Sequence, residues 1–153
     1  DKRPVQQELA HKISNLVHAL SGDPERASLY IKGTYETLCR EWGGIDHLRM
    51  DKFFMLARKI IHEILQYLHK KQWEPSAIDT INQALTQDVL KVDSKSNRGL
   101  CLHTSEIFLD ELEKVLGSGA DSRFSFSSLV QLLSPFFDFL RFGSEDSYLS
   151  YLE

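Results

Sequence analysis

Between residues 51 and 70 the chain reads Asp51-Lys52-Phe53-Phe54-Met55-Leu56-Ala57-Arg58-Lys59-Ile60, then Ile61-His62-Glu63-Ile64-Leu65-Gln66-Tyr67-Leu68-His69-Lys70. The apolar residues Phe53, Phe54, Leu56, Ala57, Ile60, Ile61, Ile64, Leu65, Tyr67 and Leu68 recur at helical steps. They wrap more than half of the helix circumference, so this helix must be covered on two sides. A narrow polar edge remains, made of Lys52, Arg58, Lys59, His62, Glu63, Gln66, His69 and Lys70. The pattern predicts a central helix that starts between Asp46 and Asp51 and ends near Lys71.

Upstream, Val5, Leu9, Ile13, Leu16, Val17 and Leu20 form the stripe of an amphipathic helix that Ser21-Gly22 stops. Asp23 then reads as an N-cap with Pro24 at the first helical position. A second helix follows to about Trp42, carrying Ala27, Tyr30, Ile31, Tyr35, Leu38 and Cys39. Gly33 inside it costs about 1 kcal/mol relative to alanine, which close helix packing would explain.

Downstream, Pro75 opens a fourth helix with Ile78, Ile81, Leu85, Val89 and Leu90. Residues 92–99 read as a polar loop, and a fifth helix spans about Leu100 to Leu116, ended by Gly117-Ser118-Gly119. A sixth segment runs from about Phe126 to Phe142, where Pro135 implies a kink or two shorter helices. Residues 144–153 leave their register open. No convincing strand is present. The fold class expected is all-α: about six helices in antiparallel pairs, as a HEAT-like helical stack or a bundle. No repeat of fixed period is visible, which divergent helix pairs tolerate.

The 153 residues, 42% hydrophobic and 26% charged, suit one folded domain and exclude disorder over the whole length. The opening at Asp1 without methionine reads as a piece of a longer protein. No run of 18 apolar residues exists, so no membrane-spanning helix is expected. Cys39 and Cys101 cannot make a disulfide scaffold and read as reduced thiols. Residues 1–73 carry a charge of +3 and residues 74–153 carry −7. That asymmetry excludes a nucleic-acid binder that uses its whole surface, and leaves room for a local basic patch.

Signals for catalysis are weak. His62 and His69, like His11 and His18, lie seven apart, two turns rather than one, so neither pair makes a His-Glu-x-x-His zinc site. There is no Cys-x-x-Cys, no phosphate loop and no nucleophile elbow. Asp110-Glu111 and Glu145-Asp146 read as solvated acids. The expectation is no enzyme, no cofactor, no metal and no small-molecule substrate.

The densest segment is Arg40 to Arg58. Trp42, Ile45, Leu48, Phe53 and Leu56 are expected to be buried, plugging the corner between the second and third helices around Gly43-Gly44. Asp46 or Asp51 would cap the third helix. Arg40, Arg49, Lys52 and Arg58 can pair with Glu41, Asp46 and Asp51. A structural corner with surface ion pairs is one reading. The other is a docking surface for protein or for RNA phosphates, formed by Arg40, Arg49, Lys52, Arg58 and Lys59. If that edge is only a solvated face, docking would fall to the acidic half around Asp110, Glu111 and Glu113.

The run Arg40-Glu41-Trp42, Gly44-Ile45-Asp46, Leu48-Arg49, Asp51-Lys52-Phe53, Met55-Leu56 and Arg58 resembles the signature of the nucleolar ribosomal RNA-processing protein 1 family. Asp1-Lys2-Arg3-Pro4-Val5-Gln6-Gln7-Glu8-Leu9-Ala10 is similar to that family's upstream helix. Glu106-Ile107-Phe108-Leu109-Asp110-Glu111-Leu112 and Ser134-Pro135-Phe136 resemble later elements. Gly43 stands where the family commonly has serine or threonine. The resemblance implies an all-helical, non-catalytic scaffold of nuclear, nucleolar pre-ribosomal particles, needed for ribosomal RNA processing and chiefly large-subunit biogenesis. It implies other assembly factors and precursor ribosomal RNA as partners, and no membrane. A general helical-repeat adaptor working outside the nucleolus is the alternative.

Overall fold

The computed structural model describes residues 3–90, 97–117 and 121–143. Six helices follow one another: α1 (Arg3–Ala19), α2 (Pro24–Trp42), α3 (His47–Lys70), α4 (Pro75–Ala84), α5 (Arg98–Leu116) and α6 (Phe126–Gly143). Among the described residues there is no strand. The helix starts are set as the sequence indicates. The Asp23 carboxylate accepts from the Arg26 backbone N–H at 3.2 Å, and the Asp46 carboxylate accepts from that of Arg49 at 3.1 Å. Of the two candidate caps for α3, Asp46 is the one used. The last turn of α4 widens to π over Leu85–Val89, with the Leu90 N–H donating to the Leu85 carbonyl at 2.8 Å. Most of the loop expected at 92–99, residues 118–120 of the glycine stop and the tail at 144–153 lie outside the described residues.

The helices are arranged in two layers. α1, α3 and α5 lie side by side in one, and α2, α4 and α6 in the other. Within a layer, neighbours run parallel. The His103 ring meets the Phe54 carbonyl at 3.1 Å, and Glu111 meets both Arg58 and His62, so sequence number rises together along α3 and α5. Likewise Gln131 of α6 donates to the Pro75 carbonyl and to Asp79, and Asn82 of α4 reaches Gln131 and Ser134 further along. α2, α4 and α6 begin at residues 24, 75 and 126, a constant spacing of 51. Three stacked helix pairs thus emerge from a sequence without visible repeats. This is the HEAT-like alternative, with antiparallel pairs whose broadest contacts are to the next-but-one helix.

α3 is the middle helix of its layer, as its apolar girth demands. Ala57, Ile60, Ile61, Ile64, Leu65, Tyr67 and Leu68 are buried, each large side chain contributing about 2 kcal/mol of burial. Trp73, in left-handed backbone at the turn after α3 (φ 59°), is also buried and donates its indole N–H to Asp121 at 3.2 Å. Pro135 does not divide α6, which is one helix. Proline removes the N–H that would satisfy the Gln131 carbonyl. The Asn82 amide at 2.6 Å and the Ser134 hydroxyl at 2.8 Å take its place.

Three expectations are corrected. Leu48 is not in the corner's core but 78% exposed, on the first turn of α3. Gly33 is not a close-packing site: an added Cβ would meet nothing within 4 Å. Val5, Leu9 and Leu16 of the α1 stripe are half-exposed or more, because α1 packs on α3 through Ala10, Ser14 and Val17 instead.

Trp42 is buried, with its ring 5.5 Å from that of Phe54. Ile45, Phe53 and Leu56, expected to be buried with it, are half-buried and line a hollow between α1, α2 and α3 instead. The indole lies over Gly99, where an added Cβ would stand 2.9 Å from the ring nitrogen. Truncation of Trp42 to alanine should therefore cost about 3 kcal/mol or more in chemical denaturation. Gly99→Ala should destabilise by about 1–3 kcal/mol although helix propensity alone favours alanine by about 1 kcal/mol. In a Trp42→Ala background the same change should cost nothing, because the clash is gone.

Candidate docking edge and its buried carboxylate

The charged residues of the Arg40–Arg58 segment divide by what they touch. Arg40 pairs with Glu41 at 2.8 Å and Arg49 with Asp46 at 2.5 Å, both at the surface. Asp51 and Gly44 are exposed. Lys52 is exposed and Lys59 half-buried, and neither has an ion-pair partner among the described residues. They lie seven residues, two turns, apart on one edge of α3. Arg58 takes a partner that local spacing could not supply. Its guanidinium donates to Glu111 of α5 at 2.8 Å.

Glu111 was expected as a solvated acid, and the structure overturns this. Its side chain is only 4% exposed, and three cationic or protonatable groups converge on it. Lys114 lies at 2.6 Å and Arg58 at 2.8 Å on one oxygen, and the His62 ring at 3.0 Å on the other. Burial pushes the carboxyl upward, but hydrogen bonds from Lys114, His62 and Arg58 outweigh it and hold it below the ordinary glutamate range. Thus Glu111 is a fastener between α3 and α5, while Asp110 and Glu113 remain exposed.

His18 and His69 serve similar seams. His18 of α1 meets Glu63 of α3 at 2.8 Å while its second ring nitrogen faces Lys70 at 3.2 Å. His69 faces Asp121 at 3.1 Å. Arg123 and the Trp73 indole also donate to Asp121, and these bonds hold its carboxyl well below the usual range, Arg123 foremost. Sequence spacing alone gave no sign of these pairings, since their partners are about 50 residues away.

Two of the hollows among the described residues lie beside α2. One, of about 450 Å³, lies between α1, α2 and α3 and is chiefly apolar, with Leu29, Tyr30, Gly33, Phe53, Leu56 and Ile60 in its walls. The other, of about 370 Å³, opens between α2 and the α3–α4 turn. Burial raises both thiols, Cys101 to about 11, so neither offers a thiolate at neutral pH.

Because Glu111 and Asp121 are depressed in the folded state, the stability they confer is present above the unfolded carboxylate value of about 4 and is lost as pH falls further. Thermal melts between pH 7 and pH 3 should show a steep loss below about pH 4.5. In Glu111→Gln the loss should be shallower, with the neutral-pH stability already lower by about 2 kcal/mol.

Comparison with known proteins places this architecture. Residues 1–151 match the Nop52 nucleolar protein family. Ribosomal RNA processing protein 1 homolog A of Homo sapiens is 41% identical over 115 residues, 75% of this chain and 25% of that protein. The Mus musculus homolog A is 38% identical over 136 residues, 89% of this chain and 26% of that protein. The Drosophila melanogaster homolog is 31% identical over 140 residues, covering 92% of this chain and 20% of its own length. The chain thus spans about a quarter of the length of the curated relatives it matches. Taken with the stacked helix pairs, these matches show that the chain belongs to the Nop52 family of nucleolar proteins.

Proposed function

We propose that this chain is a non-catalytic scaffold of nucleolar pre-ribosomal particles, acting in ribosomal RNA processing and chiefly in large-subunit assembly. Family membership supports the process. The use of charge within the fold supports the scaffold reading. His18, His62 and His69, with Glu63, Glu111 and Asp121, are engaged in holding separate elements together. Groups consumed in seams are not poised to move protons in a substrate pocket.

The observation that carries docking is the pair Lys52 and Lys59, cations on one edge of α3 without acidic partners among the described residues. Arg40 and Arg49 are each neutralised locally, and Arg58 is held by Glu111. Partners of opposite charge, acidic groups of other assembly factors or phosphates of precursor RNA, fit such an edge.

Lys52→Glu with Lys59→Glu should leave the melting temperature within a few degrees, since unpaired surface charges contribute little to folding. It should reduce co-sedimentation of the tagged full-length protein with pre-ribosomal particles severalfold, the more so at low salt. Undiminished co-sedimentation of a folded variant would reject the edge as a docking site. Exclusion of the wild-type protein from the nucleolus would reject the scaffold role itself.

A further inference from the structure

α2 and α4 are neighbours in one layer, and both begin at the same end of the stack. The hollow of about 370 Å³ lies between their first turns, with the end of α3 as its third wall. Each first turn opens with a proline, Pro24 or Pro75, which has no N–H. The N–H groups of Arg26 and Ala27 are taken by Asp23, and those of Ala77 and Ile78 by the Glu74 carbonyl. Those of Glu25 and Ser76 are left without an acceptor among the described residues. Both residues line the hollow.

Tyr67 lines the hollow as well and is only 4% exposed. Its hydroxyl has no hydrogen-bond partner among the described residues, and unlike the Tyr35 hydroxyl it is not sealed from solvent. A buried phenol with an unbonded but reachable hydroxyl presents a donor to the hollow. Burial, and then the Glu74 carboxylate, raise its pKa, so it remains a donor at neutral pH. The Lys71 ammonium lies 5.8 Å from the centre of the Tyr67 ring. Lys71, Glu25 and Glu74 all line the hollow, yet none of them has an ion-pair partner among the described residues.

Opposite charges that face one hollow without meeting call for a ligand that carries both signs. Lys71, the Tyr67 hydroxyl and the two free N–H groups are donors for one carboxylate. A phosphate monoester would bring more negative charge than a single lysine matches beside two glutamates. Glu25 and Glu74 in turn accept a cation. Between these ends the wall is apolar, at Ile31, Ala77 and the Tyr67 ring, which suits the methylene stem of a long basic side chain. We propose that this hollow binds an arginine or lysine residue with a free α-carboxylate, the carboxylate meeting Lys71 and Tyr67 and the basic head meeting Glu25 and Glu74. Two sources share that chemistry: the free amino acid and the C-terminal residue of a polypeptide. The volume falls within the range of small-ligand pockets, about 300–1,000 Å³.

The test is isothermal titration calorimetry of the full-length protein with N-acetyl-glycyl-arginine and with free arginine, each also in its C-terminal amide and its citrulline form. At least one of the two parent ligands should bind, and the tighter one identifies the source. Its amide and its citrulline form should each bind about tenfold more weakly or worse, and the difference should shrink in high salt. Tyr67→Phe removes only the hydroxyl and should weaken binding severalfold, and Lys71→Gln should weaken it further. Glu25→Gln with Glu74→Gln should remove the preference for arginine over citrulline, and Lys52→Glu with Lys59→Glu should change nothing. Circular dichroism confirms that each variant folds. Failure of both parent ligands, equal binding of an amide or a citrulline form, or indifference to both Tyr67→Phe and Lys71→Gln overturns the proposal. None of these readouts involves entry into particles, so the docking edge and this site fail separately.

Discussion

Everything in the stack depends on the burial of α3 from two sides. A helix apolar over more than half its girth cannot sit at the edge of a layer without leaving large side chains in water. With α1 on one flank and α5 on the other, both in parallel orientation, α3 satisfies that constraint. The connections then have to cross to a second layer and back, and α2 and α4 do this. The two-layer stack is thus a consequence of one helix's surface. Trp42 and Trp73 sit where the chain changes layer, at the ends of α2 and α3. Each fills the space that a change of direction opens between helices.

Much of this was legible in the residues. Asp23-Pro24, Asp46 and Pro75 announce helix starts through chemistry that acts within a single turn. The girth of α3 announced its central place. What stayed hidden depends on partners distant in sequence. Periodicity shows that Val5, Leu9 and Leu16 share a face of α1, but not that the packed face is the adjacent one. Leu48 has the right type for a core and the wrong location, since it lies on the first turn of α3 where no helix covers it. Glu111 reads as solvent-facing because acids usually are. Its burial needs Arg58 and His62, about 50 residues earlier, and no local rule joins them. The repeat escaped detection for a related reason. Helix pairs conserve the spacing of their starts while exchanging leucine for arginine at equivalent points.

The edge proposed for docking was legible only in part. The positions of Lys52 and Lys59 follow from helical spacing. The commitment of Arg58 to a seam does not. Charge in this protein therefore has two roles that sequence cannot separate: closing seams, as at Glu111, and facing outward, as at Lys52.

Why the seams carry polar pairs at all can be argued from register. Parallel neighbours such as α3 and α5 are not joined by a short turn, so no loop fixes how far one slides along the other. Ridges and grooves repeat at each turn, about 5.4 Å apart, and apolar packing alone would tolerate a slip of that size. A slip would carry Glu111 away from Arg58 and His62 and leave a buried carboxylate with Lys114 alone, at a cost of several kcal/mol. His18 with Glu63 gives the α1–α3 seam the same constraint. In each of these two seams one engaged acid is therefore enough to select a single register.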